Sequence, residues 1–145
     1  MTLAQVARFL ENLGWPYQIM ADSVIKGQYK GLLGVTKVLF HVHESGLRIA
    51  INPIMEKPLE TGAWSVSVNR LIVSLDKESP SIRIGLDREG DLYVKVDLPK
   101  QELTFEQFSY VLLNLCRVSE QLVVPVLQAQ AYGHAPEASL MPQAL

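Results

Sequence analysis

The sequence has one cysteine, few charged residues and no long uninterrupted apolar run. Because Cys116 has no second cysteine to pair with, an intramolecular disulfide is excluded and a reducing compartment fits best. No basic leader precedes an apolar stretch at the N-terminus, and no run approaches the roughly 18 residues that cross a bilayer. We therefore expect a cytoplasmic protein that does not insert into a membrane.

An excess of positive charge is also missing. The chain has 13 basic and 15 acidic residues, a formal net charge of -2, and the two signs are mixed along the sequence. Without a cationic field to hold a phosphate backbone, nucleic-acid binding is disfavoured.

What the chain does have is enough apolar surface to fold. Apolar residues make up 48% of its 145 residues, which is typical of a globular protein and excludes disorder of the bulk. The length suits one domain, which we expect over residues 1–133, with a disordered tail over 134–145.

The first half of the chain predicts one helix and three strands. Apolar residues recur at helical spacing from Leu3 to Leu13, where Thr2 and Gln5 form a capping box. Alternation of apolar and polar residues predicts strands at Tyr17 to Ile25, Val38 to Val42 and Leu47 to Ile51. Glycines between the first two strands predict a flexible break, and a loop is expected at Asn52 to Gly62. The glycines are Gly27, Gly31 and Gly34.

The segment from Trp64 to Asp76 fits two structures. Its β-branched residues favour a strand, whereas Val68, Leu71 and Leu75 share one helical face, and we favour the helix. A hairpin follows, with strands on either side of the turn from Asp87 to Asp91.

The last element predicted is a long helix from Phe105 to Val123. Thr104 and Gln107 form its capping box, and Pro125 kinks or ends it, with a further turn available as far as Tyr132. The complete order is α-β-β-β-α-β-β-α. It predicts an α+β fold with an antiparallel sheet of about five strands.

Four stretches of the second half carry a family likeness: Val68-Asn69-Arg70-Leu71, the hairpin from Ile82 to Leu92, Val96-Asp97-Leu98-Pro99, and Leu103-Thr104 before the long helix. Together they resemble the YbjN-type, type III secretion chaperone-like family. The resemblance covers most of Leu3 to Tyr132. It implies a fold similar to that of small dimeric secretion chaperones, a partner that is another protein or a second copy of the chain, and no catalytic residues.

Three groups of residues invite a chemical interpretation, and a structural one is favoured for each. His41 and His43 share a strand face and could both bind zinc, but the third histidine, His134, lies in the tail. Asp87, Glu89 and Asp91 suggest a calcium loop, yet its closing glutamate would fall at a leucine. The three glycines match neither phosphate-binding fingerprint.

No residues are predicted to be catalytic, to bind a cofactor or to bind a metal. Cys116 and the serines lack a glycine elbow and a motif that ties them to a histidine or an acid.

Apolar residues outside the predicted core stripes are candidates for a protein interface. They are Val66, Val73, Tyr110, Leu113 and Val124. Single exposed apolar residues are common, and another helix could cover these, so a structural interpretation stands beside the functional one. We favour a non-enzymatic protein-binding module, chaperone-like or adaptor. The alternatives are a small-molecule or metal-binding regulatory sensor and an enzyme without a local motif.

Overall fold

The computed structural model describes residues 1–32 and 34–132, and in these the chain forms three helices and six strands. The helices are α1 (Leu3–Leu13), α2 (Val66–Glu78) and α3 (Phe105–Tyr132). The strands are β1 (Tyr17–Ala21), β2 (Val24–Gly31), β3 (Gly34–His43), β4 (Gly46–Met55), β5 (Ile82–Leu86) and β6 (Leu92–Pro99).

The strands form one antiparallel sheet in the order β1-β2-β3-β4-β6-β5. The first four follow one another as a meander. Helix α2 then carries the chain to the far edge, and β6 returns between β5 and β4. The predicted α+β antiparallel fold is confirmed.

The sheet has six strands because the stretch from Tyr17 to Ile25 is two strands. A turn at Asp22 and Ser23 reverses the chain, so that Ile19 lies opposite Ile25. Both residues then face the same side of the sheet. The apolar residues therefore alternate without a break across the turn, and the sequence pattern does not reveal that the chain reverses there.

The predicted glycine break is wrong at Gly27, which lies inside β2. A Cβ atom there would stand 3.1 Å from the ring of Phe40 and 3.5 Å from that of Trp15, so the glycine makes room for two aromatic rings. Of the three glycines, Gly34 alone has a positive φ, 101°, as a turn requires.

Strand β4 also runs further than expected, through Pro53 to Met55. Its register against β6 shifts between Ile51 and Met55. Proline has no amide hydrogen to donate to a neighbouring strand. A strand therefore tolerates a proline where its hydrogen bonding to the neighbour is interrupted, as it is here around Pro53.

All three helices pack on one side of the sheet. There they enclose a single core in the described residues, in which the rings of Phe40 and Phe108 lie 5.8 Å apart and those of Phe9 and Phe108 5.0 Å. The opposite side of the sheet has no helix over it within residues 1–32 and 34–132. We call the two sides the covered face and the open face.

The segment from Trp64 to Asp76 is helical, and the strand alternative is wrong. Helix α2 begins after Ser65, whose hydroxyl accepts a hydrogen bond from the amide of Val68 at 3.2 Å. Its β-branched residues Val68 and Ile72 are buried, so tertiary packing outweighs their modest helix propensity.

Helix α3 continues through Pro125 to Tyr132. Both predicted capping boxes are present, since Thr104 and Gln107 exchange hydrogen bonds at the start of α3 as Thr2 and Gln5 do at α1. By length and composition α3 passes a test for a membrane span, but a core helix passes it equally, and α3 buries its apolar stripe against the sheet. The tail predicted over 134–145 lies outside the described residues.

Candidate interaction surfaces

The outer face of α2 carries two exposed valines. Val66 and Val73 each keep 66% of their surface accessible, opposite the stripe that α2 buries. They line one shallow groove of about 550 Å³, together with Asn69, Arg70 and Lys77. The structure therefore brings two of the five candidate interface residues together.

The outer face of α3 carries the other three. Tyr110, Leu113 and Val124 are 74%, 51% and 60% exposed, and their spacing places them opposite the buried stripe of the helix. Leu113 also lines a groove of about 470 Å³ with Trp15 and other residues. Tyr110 and Val124 line neither of these grooves.

Sequence analysis missed further exposed apolar residues. Leu127, 49% exposed, follows Val124 by three positions on α3, a spacing that could have identified it. Ile19 and Met20 on the edge strand β1 are 56% and 52% exposed, but an alternating strand does not reveal that it lies at an edge.

The open face of the sheet carries a concentration of positive charge. Lys26, Leu39, Ala50 and Lys95 form one row across β2, β3, β4 and β6, each the register partner of the next. Among the open-face positions of the described strands, Asp97 is the single carboxylate. We call the following set the basic sheet face: Lys26, Lys37, Leu39, Arg48, Ala50 and Lys95.

Part of the basic sheet face is concave. A depression of about 330 Å³ is lined by Leu39, Arg48, Ala50 and Lys95 and extends past Tyr93 to Asp87 and Arg88 of the turn between β5 and β6. The Lys95 ammonium lies 5.7 Å from the centre of the Tyr93 ring. This surface combines cations with apolar side chains, which suits a ligand that offers both carboxylates and hydrocarbon.

One ion pair crosses the open face. Arg48 Nε lies 2.7 Å from Asp97 Oδ1, and both side chains are about half exposed. This hydrogen bond raises the pKa of Arg48 and lowers the pKa of Asp97. In contrast, Lys26, Lys37 and Lys95 have no carboxylate within 4.0 Å among the described residues.

Sequence analysis treated the charges as mixed because it counted them along the chain. Lys26, Lys37 and Lys95 lie on three strands, each at a polar position of the period-two pattern. Strand order then brings them to one face. The alternating pattern of the sequence predicts that these lysines occupy polar strand positions, but it does not predict that β4 pairs with β6.

The two strand histidines do not form a metal site with other described residues. The rings of His41 and His43 lie 5.4 Å apart, and His43 Nδ1 is 2.8 Å from the hydroxyl of Ser45. His134 lies outside the described residues. The grouping of potential ligands found in the described part of the chain contains neither histidine.

That grouping is the acidic turn between β5 and β6. Asp87 Oδ1 accepts hydrogen bonds from the amides of Glu89 and Asp91, both at 2.9 Å, and the Asp91 amide is the largest cause of the lowered pKa of Asp87. Asp91 Oδ1 accepts from the Lys57 amide at 2.9 Å. Two of the three carboxylates therefore stabilise backbone, as the hairpin interpretation expects.

The single cysteine, Cys116, lies on the buried side of α3. Burial raises the pKa of Cys116 to about 12, so its thiol is protonated at neutral pH and is a poor nucleophile. Beside it, the hydroxyl of Tyr29 donates to Glu120 Oε1 at 3.1 Å, and burial raises the pKa of Tyr29 as well.

Comparison with known proteins shows a likeness of fold. The chain is similar in structure to a chain of the heterodimeric complex ExoU-SpcU from the type III secretion system of Pseudomonas aeruginosa, with a TM-score of 0.56 and 13% identity. The match covers 80% of this chain and 93% of that chain. The fold is thus of the secretion-chaperone kind. No family model and no curated protein matches the chain, and membership of the YbjN-type family stays a prediction.

Proposed function

We propose that this chain is a non-enzymatic, chaperone-like protein-binding module of the cytoplasm. It holds a partner polypeptide, or a second copy of itself, through the outer faces of α2 and α3. The observation that carries the proposal is the exposure of large apolar side chains on those two helices, which include the five candidate residues and Leu127. The likeness of fold to a chain of a heterodimeric complex supports it.

The exposed apolar surface is large enough to hold a moderate interface. Burial of apolar surface contributes about 25 cal/mol per Å², or roughly 1 to 2 kcal/mol for a side chain such as Val66 or Leu113. Lost rigid-body freedom and the ordering of side chains offset much of this gain. We therefore expect a complex of at best micromolar to nanomolar strength, which corresponds to roughly -8 to -12 kcal/mol, and not an obligate assembly.

The test is to place a carboxylate on each outer face. Val73→Glu on α2 and Leu113→Glu on α3 should each weaken association about tenfold or more, because a buried unpaired charge adds to the lost apolar contact. Neither side chain belongs to the core, so the folds should remain intact. Sedimentation measures association, and circular dichroism measures folding.

Gln101→Glu is the matched control, since it adds the same charge at an exposed position before α3. It should leave association unchanged. A wild-type protein that is monomeric at high concentration and captures no polypeptide from its own cell lysate contradicts the proposal. Unfolding of the Val73 and Leu113 variants would place these residues in the core instead.

The alternative of a small-molecule or metal-binding sensor rests on His41 and His43 alone. A zinc site normally takes at least three protein ligands, and the described residues supply these two histidines with no third ligand beside them. No observation favours this alternative.

A further inference from the structure

The basic sheet face is a second surface, on the opposite side of the molecule from the three helices. In its central row, the apolar pair of Leu39 and Ala50 separates Lys26 from Lys95. Leu39 is 37% exposed, and among the described residues neither lysine has a carboxylate within 4.0 Å, although Lys95 lies near enough to Asp97 to help lower the pKa of that carboxyl group. Beyond the two lysines the row continues to Gln18 on β1 and to Arg83 on β5, which pairs with Asp76 of α2. The part of the row from Lys26 to Lys95, with a cation on each side of an apolar pair, has a defined complement.

We propose that the basic sheet face binds an extended acidic segment of a partner polypeptide. The segment has two carboxylate side chains four residues apart and an apolar side chain midway between them. This goes beyond the proposed function, because it assigns a different surface from the outer faces of α2 and α3 and states the chemistry of what binds there.

The spacing follows from strand geometry. Neighbouring strands lie about 4.8 Å apart, so the three steps from Lys26 to Lys95 span about 14 Å. An extended segment rises about 3.3 Å per residue, and four residues span about 13 Å. Alternate side chains point the same way, so residues i, i+2 and i+4 of the segment meet Lys26, the Leu39–Ala50 pair and Lys95 in turn.

Charge and shape favour a polypeptide over a nucleic acid. Proteins that bind single-stranded nucleic acids stack the bases on aromatic side chains, mostly Phe, Tyr and Trp. At the open-face positions of the described strands Tyr93 is the single residue of those three types, with Lys95 beside it, and the imidazoles of His41 and His43 lie against each other. The whole chain carries a net charge of -2, which provides no long-range attraction for a phosphate backbone. Local carboxylate contacts need no such field.

The test titrates the full-length protein with short synthetic peptides and follows its amide resonances. The probe is Gly-Ser-Glu-Ser-Leu-Ser-Glu-Ser-Gly, and the comparison peptide has the same composition with its two glutamates adjacent. At about 0.1 M salt, where charges are screened beyond roughly 10 Å, the probe should bind at least about threefold more tightly. Its largest shifts should fall at Lys26, Leu39, Ala50 and Lys95.

Charge reversal then tests the lysines. Lys26→Glu combined with Lys95→Glu should weaken probe binding about tenfold, and the milder Lys26→Gln with Lys95→Gln about threefold, since each exposed ion pair is worth a fraction of the binding energy. Arg8→Glu with Arg117→Glu, on the helix side, changes net charge equally and should have little effect. Val73→Glu should bind the probe as the wild type does, whatever happens to its self-association.

Three results would overturn the proposal. Equal binding of the two peptides would remove the spacing requirement, and equal losses in the two charge-reversed proteins would reduce the effect to net charge. Tighter binding of a short oligothymidylate at the same residues would assign the face to a nucleic acid. If the glutamate variant does not fold, the glutamine variant alone decides the role of the lysines.

Discussion

Leu39 and Phe40 are consecutive residues of β3 with opposite surroundings. Phe40 points to the covered face, is fully buried and lies against Phe108, whereas Leu39 points to the open face and is 37% exposed. The same alternation runs through β2, β4, β5 and β6, but not through the edge strand β1, where no residue is buried. One set of side chains forms the core with the helices, and the other set faces water.

This difference shows that side chains on the two faces contribute differently to the stability of the fold. Where helices exclude water, apolar burial stabilises the fold, and the residues there cannot change without cost. On the open face a side chain contributes little to folding, so lysines and Arg48 can collect there. The covered face therefore accounts for stability, and the open face is free to carry the binding surface proposed above. The following predictions test that division, from the largest effect to the smallest.

The first prediction compares the two adjacent residues directly. Phe40→Ala should lower the free energy of unfolding by about 3 to 5 kcal/mol, because it removes a buried ring and leaves a cavity beside Phe108. Leu39→Ala should cost less than about 1 kcal/mol. Urea unfolding followed by circular dichroism measures both. Similar losses for the two variants would contradict the division between the faces.

The second prediction concerns the start of the helix that covers the core. Thr104→Ala removes the hydroxyl that accepts from the Gln107 amide at 3.1 Å, and should cost about 1 kcal/mol. Thr104→Ser keeps the hydroxyl and is the control. The same unfolding measurement applies. A loss as large in Thr104→Ser as in Thr104→Ala would show that the hydrogen bond is not what stabilises this end of α3.

The third prediction concerns the ion pair on the open face. A double-mutant cycle with Arg48→Ala and Asp97→Ala should give a coupling of about 0.2 to 1 kcal/mol at pH 7, because both side chains are half exposed. The folded pKa of Asp97 lies below its ordinary value of 3.8. Stability from the pair is therefore complete above that value and is lost as pH falls through the folded pKa.

Repeating the cycle near pH 2 should bring the coupling toward zero. A coupling that survives at low pH would mean that Asp97 acts through packing and not through its charge. A coupling well above about 1 kcal/mol at pH 7 would place the open face among the regions that stabilise the fold.

Much of the fold followed from local patterns. The helices, the hairpin between β5 and β6 and the capping boxes at Thr2 and Thr104 depend on residues close in sequence, and all were predicted. The errors fall where distant residues decide. Gly27 looks like a break until Phe40 and Trp15 are seen to pack over it.

The candidate surfaces divide in the same way. Helical spacing alone identified Val66 and Val73 as residues that α2 does not need for its core. The spacing of seven residues also places these two valines nearly in line, and the groove that they share is lined by α2 alone. Helical spacing could not show that Leu113 lines a second groove with Trp15, because these two residues lie on separate parts of the chain.

The sequence by itself determined the α+β class, the helices and most of the strands, and which residues are apolar enough to form the core, because helix and strand periodicities are local properties of the chain. Only the tertiary structure decided that β6 lies beside β4 and that Lys26, Leu39, Ala50 and Lys95 form one row. The physical reason is that strand order depends on how α2 and α3 pack over the sheet. Residues far apart in sequence acquire a common surface only through that packing.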